Sequence, residues 1–125
     1  MPAPHWAPIT RTGPLGRGSP DRADITHDGK KLYVPTGYWD LGRSASMLIV
    51  DGSNGAVLKR VRLGAGPHNS FVTLDGQHLV ISGIDWIAMF RTANDEKFMY
   101  LSGVGDGGMF PMTVDRRLER AYVSR

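Results

Sequence analysis

This sequence encodes an all-β protein, and three features of it say so. Sixteen glycines and eight prolines among 125 residues require many turns and short elements. No segment sustains apolar spacing of about 3.6 residues over roughly eleven positions, so no long helix is expected. From Ser19 onward, short apolar runs alternate with Asp-Gly and Gly punctuation, the pattern of strands joined by tight hairpins.

Strands are expected at 22–27, 31–36, 46–51, 56–63, 68–74, 78–83, 86–91, 97–101, 109–114 and 119–124. Val57, Val61 and Leu63 alternate with Leu58, Arg60 and Arg62, which predicts a half-buried strand with one wet face. Leu79, Val80 and Ile81 form a continuous apolar run, as in a strand covered on both sides. Pro35, within Tyr33-Val34-Pro35-Thr36, is expected to interrupt the second strand.

Superposing the Asp-Gly turns exposes a repeat. Pro20 to Gly29, followed by Leu32, lies over Pro67 to Gly76, followed by Leu79, with proline, threonine, Asp-Gly and leucine coinciding without a gap. Asp28 and Asp75 are 47 residues apart. A looser third copy, Met112-Thr113-Val114-Asp115 leading into Ala121 to Ser124, puts Asp115 a further 40 residues on. Periods of about 40–50 residues with four strands each mark the blades of a β-propeller. The expected organisation is therefore a Pro/Gly-rich leader at 1–19, then a partial β-propeller over 20–125. Its blades span about 20–66 and 67–107, with an incomplete third at 108–125. Each Asp-Gly supplies the positive φ of a tight hairpin. Asp51-Gly52-Ser53-Asn54-Gly55 joins a third strand to a fourth, and Gly64-Ala65-Gly66-Pro67 carries the chain from one blade to the next.

The stretch Ile49 to Val57, then Val61-Arg62-Leu63-Gly64-Ala65-Gly66-Pro67-His68, Asp75-Gly76 and Leu79-Val80, resembles the YVTN-type repeat of YncE-like β-propeller proteins. Residues 86–101 depart from it, with Asn94-Asp95-Glu96 in place of the Asp-x-x-x-Gly turn. The resemblance implies a closed ring of blades, bacterial origin, and a periplasmic or extracellular location. Residues 1–19 contain no apolar run of the roughly 7–15 residues a secretory signal needs. Rings close with about four to eight blades, so two and a half read as a fragment whose partners include the remaining blades.

Composition narrows the chemistry. With 41% hydrophobic and 22% charged residues the chain is not of disordered type. The absence of cysteine excludes disulfides, thiolate metal sites and thiol nucleophiles. Met47–Val50, the longest aliphatic run, is far short of the roughly 20 residues that span a bilayer, so no membrane partner is expected. The net charge of +3 gathers at Lys59-Arg60-Val61-Arg62 and Arg116-Arg117-Leu118-Glu119-Arg120, which read as solvated strand edges rather than a nucleic-acid surface.

His68 is the leading site candidate, because it begins the innermost strand of a blade, where side chains line the channel; Asn69 follows it. The repeat matches His68 to Asp21 and to Gly108, so Asp21 joins the candidate channel-mouth ligand set and a ring of identical ligands is not expected. No paired metal-ligand spacing and no Gly-x-Ser-x-Gly elbow occurs, so neither cofactor nor catalytic residue is assigned. Trp86 and Trp39 are expected to pack between blades, with a rim recognition role as the alternative. The expected function is a ligand- or partner-binding or scaffolding propeller segment, for a small molecule or a protein. The alternative is part of a propeller enzyme, resembling lactonases, haem d1 nitrite reductase or the amine dehydrogenase heavy chain.

Overall fold

The computed structural model describes residues 22–104, 110–117 and 119–124. The leader at 1–19, Asp21 and Gly108 lie outside them. Among the described residues ten strands occur: β1 (Asp24–Ile25), β2 (Lys31–Pro35), β3 (Ser46–Asp51), β4 (Val57–Arg62), β5 (Asn69–Val72), β6 (His78–Ser82), β7 (Trp86–Arg91), β8 (Lys97–Ser102), β9 (Phe110–Val114) and β10 (Ala121–Ser124). They form two four-stranded antiparallel sheets, β1-β2-β3-β4 and β5-β6-β7-β8, and a two-stranded sheet of β9 and β10. No helix occurs among the described residues. The first strands of successive sheets touch, β1 meeting β5 and β5 meeting β9, while β4 and β8 lie outermost. This is the arrangement of a partial propeller.

The Thr-x-Asp-Gly repeat is a bonding unit. The Thr26 hydroxyl donates to Asp28 Oδ1 at 2.7 Å and accepts from the Lys31 amide at 3.0 Å. Asp28 Oδ1 also accepts from the Lys30 amide at 3.0 Å. Thr73, Asp75, Gln77 and His78 repeat the same bonds in the second sheet. These bonds hold the Asp28 and Asp75 carboxyls below the usual carboxylate range, the threonine hydroxyl being the larger cause in each. Asp51 is lowered likewise, first by the Ser53 hydroxyl.

The third copy is in a different register from the one expected. The Asp115 amide donates to the Arg120 carbonyl, and Asp115 Oδ1 accepts from the Glu119 and Arg120 amides. Asp115 thus stands where Thr26 and Thr73 stand, not where Asp28 and Asp75 stand. Pairing of Val114 with Ala121 against that of Val72 with Leu79 puts the copies 42 residues apart (114 − 72), so Phe110 rather than Gly108 corresponds to His68. A carboxylate accepts the same amide bonds as a hydroxyl, which is why the residue type misleads here.

Three further expectations change. β1 is short because Arg22 has φ of 42°, outside the extended region, and Thr26 already belongs to the turn. Pro35 does not interrupt β2, for it pairs with Met47. The Thr36 amide points to β3, so by alternation the Pro35 nitrogen points past the end of β1, where no ladder donor is required. β4 is more exposed than half-buried, with Val57 at 47% and Leu58 at 56%, because it is an outermost strand and only Val61 reaches the core.

That core lies between the sheets. Tyr33, Met47 and Ile49 of the first sheet pack on Leu79, Ile81, Trp86, Ala88 and Phe90 of the second. The opposite face of the second sheet (Val80, Ile87) packs on Met112 of the third. Leu79 and Ile81 are wholly buried, each side chain contributing about 1.5–3 kcal/mol. Two glycines set the approach. A Cβ at Gly83 would lie 2.2 Å from Trp86 Nε1, and one at Gly64 would lie 2.6 Å from it.

Asp95 ties the sheets at a second place. It occupies the position of Gly55 in the β7–β8 hairpin, donating its amide to Arg91 as Gly55 does to Asp51, with φ of 60° against 75°. Its carboxylate accepts from Lys31 Nζ at 2.8 Å and from the Tyr33 hydroxyl at 2.9 Å, both on β2. Lys31 Nζ also donates to the Thr92 carbonyl. Burial, then the bond to Asp95, pushes the Tyr33 hydroxyl pKa far up.

Gly83→Ala should destabilise the chain by about 1–3 kcal/mol through overpacking, whereas Gly42→Ala, with nothing within 4 Å, should leave the melting temperature unchanged; thermal unfolding by circular dichroism measures both. Asp95→Gly should cost about 1 kcal/mol less than Asp95→Ala in denaturant titrations, because alanine adds left-handed backbone strain to the same lost bonds. Carboxyls lowered on folding stabilise above their unfolded pKa of about 4, and that contribution goes as pH drops through the lower folded value. The melting temperature should therefore be flat above about pH 5 and fall below about pH 4, less steeply in the Thr26→Val, Thr73→Val double variant.

Candidate functional site

The segment between the two sheets, Gly64 to Pro67, is fastened from both sides. The Gly37 amide donates to the Pro67 carbonyl at 2.9 Å and the Gly66 amide to the Asp40 carbonyl at 2.9 Å, both from the β2–β3 connection. From the second sheet, the Ile84 amide and Trp86 Nε1 both donate to the Ala65 carbonyl. His68 follows at once, its amide bonded to the Ser82 carbonyl at 3.0 Å.

The imidazole of His68 is 4% exposed. Its Nδ1 lies 2.8 Å from the Gly66 carbonyl, which assigns the proton to Nδ1 and leaves Nε2 an acceptor. Nε2 is buried and has no hydrogen-bond partner. The ring meets Tyr38 edge to face, centroids 5.1 Å apart, and Tyr38 meets Trp39 the same way at 5.0 Å. Trp39 is 77% exposed. Three rings thus run from solvent to the buried imidazole.

Asn69 is 6% exposed and lies opposite Ser82 in the β5–β6 ladder. Its Nδ2 and the Ser82 Oγ are also buried without a partner. His68 and Asn69 are therefore adjacent at one end of the innermost strand, as expected, but both are buried rather than lining an open channel. Asp21, the third candidate, is outside the described residues. Ser82 and Tyr38 were not singled out by sequence. Ser82 was within reach, since folding the hairpin about Asp75-Gly76 places it opposite Asn69; Tyr38 comes from the other sheet and left no local signal.

The length of the β2–β3 connection sets this end apart. β2 ends at Pro35 and β3 begins at Ser46, while β6 ends at Ser82 and β7 begins at Trp86. The first connection is thus residues 36–45 and its counterpart only 83–85. The additional residues carry Tyr38, Trp39 and Asp40. Asp40 is buried and accepts from the Ser44 hydroxyl at 2.7 Å.

Trp86 is packing, 3% exposed and stacked on Tyr100. The Asp51–Gly55 segment is the β3–β4 hairpin. His78 Nδ1 stands 3.9 Å from Asp75 and its ring leans on Phe98, while exposed His27 lies over Gly76 of the next sheet. Among the described residues no group of three or more His, Cys, Asp or Glu is placed to hold a metal ion.

No family model matches the chain, and no curated protein matches it. Among solved structures the chain is similar to hydrazine synthase of Kuenenia stuttgartiensis, with a TM-score of 0.64 and 23% sequence identity. The match covers 84% of this chain and 28% of that one, so this chain spans little more than a quarter of the length of its structural neighbour. At that identity the likeness is one of fold.

Proposed function

We propose that the chain is a segment of a YVTN-type β-propeller, bacterial and exported, that serves as a binding or scaffolding module through the end of the blades where β5 begins. The observation that carries this reading is the ten-residue connection at 36–45, fastened to the inter-blade segment and linking an exposed indole through the Tyr38 ring to a buried imidazole with a free Nε2. An exposed tryptophan in a braced loop supplies much contact area at little conformational cost, as recognition residues do. His68 Nε2 adds an acceptor where water is excluded and a hydrogen bond discriminates most. Asn69, and Asp21 by repeat position, complete the proposed channel-mouth set, with a small ligand or a protein segment as partner.

The enzymatic alternative draws on the fold alone. A nucleic-acid partner has less support: Lys59, Arg60 and Arg62 lie on the outermost strand, where cations protect a free edge, and Arg60 Nη1 is engaged by Ser46 Oγ at 2.9 Å.

Benzamide is a suitable first probe, offering a ring to Trp39 and an amide to the imidazole. In NMR titrations the Trp39 indole and His68 ring resonances should shift together and saturably. Trp39→Ala should weaken binding about tenfold, equivalent to about 1.4 kcal/mol. Saturable shifts confined to Lys59–Arg62, or none anywhere, would count against this reading.

A further inference from the structure

Asn69 and Ser82 form the one cross-strand pair of β5 and β6 in which both side chains bury an unsatisfied polar atom. As direct partners in an antiparallel ladder they share a face. The next pair on that face, Phe71 and Val80, belongs to the apolar cluster against the third sheet with Ile87 and Met112. Two polar groups thus close one end of an apolar interface, at 6% and 0% exposure. A buried donor without a partner is costly, and its replacement by an apolar group is near neutral or stabilising.

The repeat shows that a blade does not need this pair. The corresponding positions are Arg22 and Pro35 in the first sheet, and in the third a register shift pairs Ser124 with Phe110 instead. The turn residues are kept between the first two copies while this pair is not, so blade construction does not account for it.

We propose that Asn69 and Ser82 form a binding niche for a small neutral carboxamide, with Asn69 Nδ2 donating to its carbonyl oxygen and Ser82 Oγ accepting from its amide nitrogen. The niche opens on the end of an apolar cluster, a setting that disfavours a charged ligand. The niche rests on the reading of this end of the blade as the binding end and names the ligand class it takes.

Acetamide is the probe, read by NMR on the Asn69 side-chain amide in the full chain. The expected result is a saturable shift that disappears in Ser82→Ala, while that variant melts at or above the parent temperature. No saturable shift overturns the niche. So does a fall of more than about 3 °C in Ser82→Ala, which would make the pair a satisfied structural element bridged by water. The benzamide titration separates the two readings. Acetamide acting on Asn69 while benzamide fails at Trp39 keeps the niche and removes the wider proposal; the reverse result removes the niche.

Discussion

The packing of one sheet against the next turns on the indole of Trp86. Its ring lies where a Cβ at Gly64 or Gly83 would collide with it, and its Nε1 is spent on the Ala65 carbonyl. One side chain therefore fixes three things at once: the approach of the two sheets, the path of the inter-blade segment, and the starting point of β5. His68 inherits its position from that arrangement. Because the indole is hydrogen-bonded as well as buried, displacing it would leave a donor unmatched in addition to opening a void.

A second tie, at Asp95, works by different physics. The hairpin position it fills favours glycine, and an aspartate there carries backbone strain. Its carboxylate offsets that strain by accepting from Lys31 and Tyr33 across the interface. Local preference and inter-blade bonding pull in opposite directions at this residue, and the latter prevails. The β3–β4 hairpin keeps glycine, Gly55, at this position.

Much of the architecture was legible because the signals that specify it are local. Asp-Gly turns and apolar alternation placed all ten strands within a few residues, and the Thr-x-Asp bonds explain why the repeat is visible at all. Where sequence reasoning slipped, a non-local or chemically degenerate feature was responsible. Asp115 substitutes for threonine rather than aspartate, Arg22 leaves the extended region, and the exposure of β4 follows from its place in the sheet. At the candidate site, the placement of His68 and Asn69 at the start of a strand was legible. The rings over His68 come from residues some thirty positions earlier, and the apolar face that Asn69 shares packs against another sheet, so neither burial was legible.

The unequal connections after β2 and β6 have an implication for how such a protein diversifies. Ladders and turns here are near-interchangeable parts, since the first two sheets superpose in register on either side of the longer loop. Between these two sheets the difference in connection length falls in that one segment, which enters no ladder. Surface chemistry at this end can therefore drift or be exchanged while the framework beneath it stays the same, much as a tool head is changed on an unaltered handle.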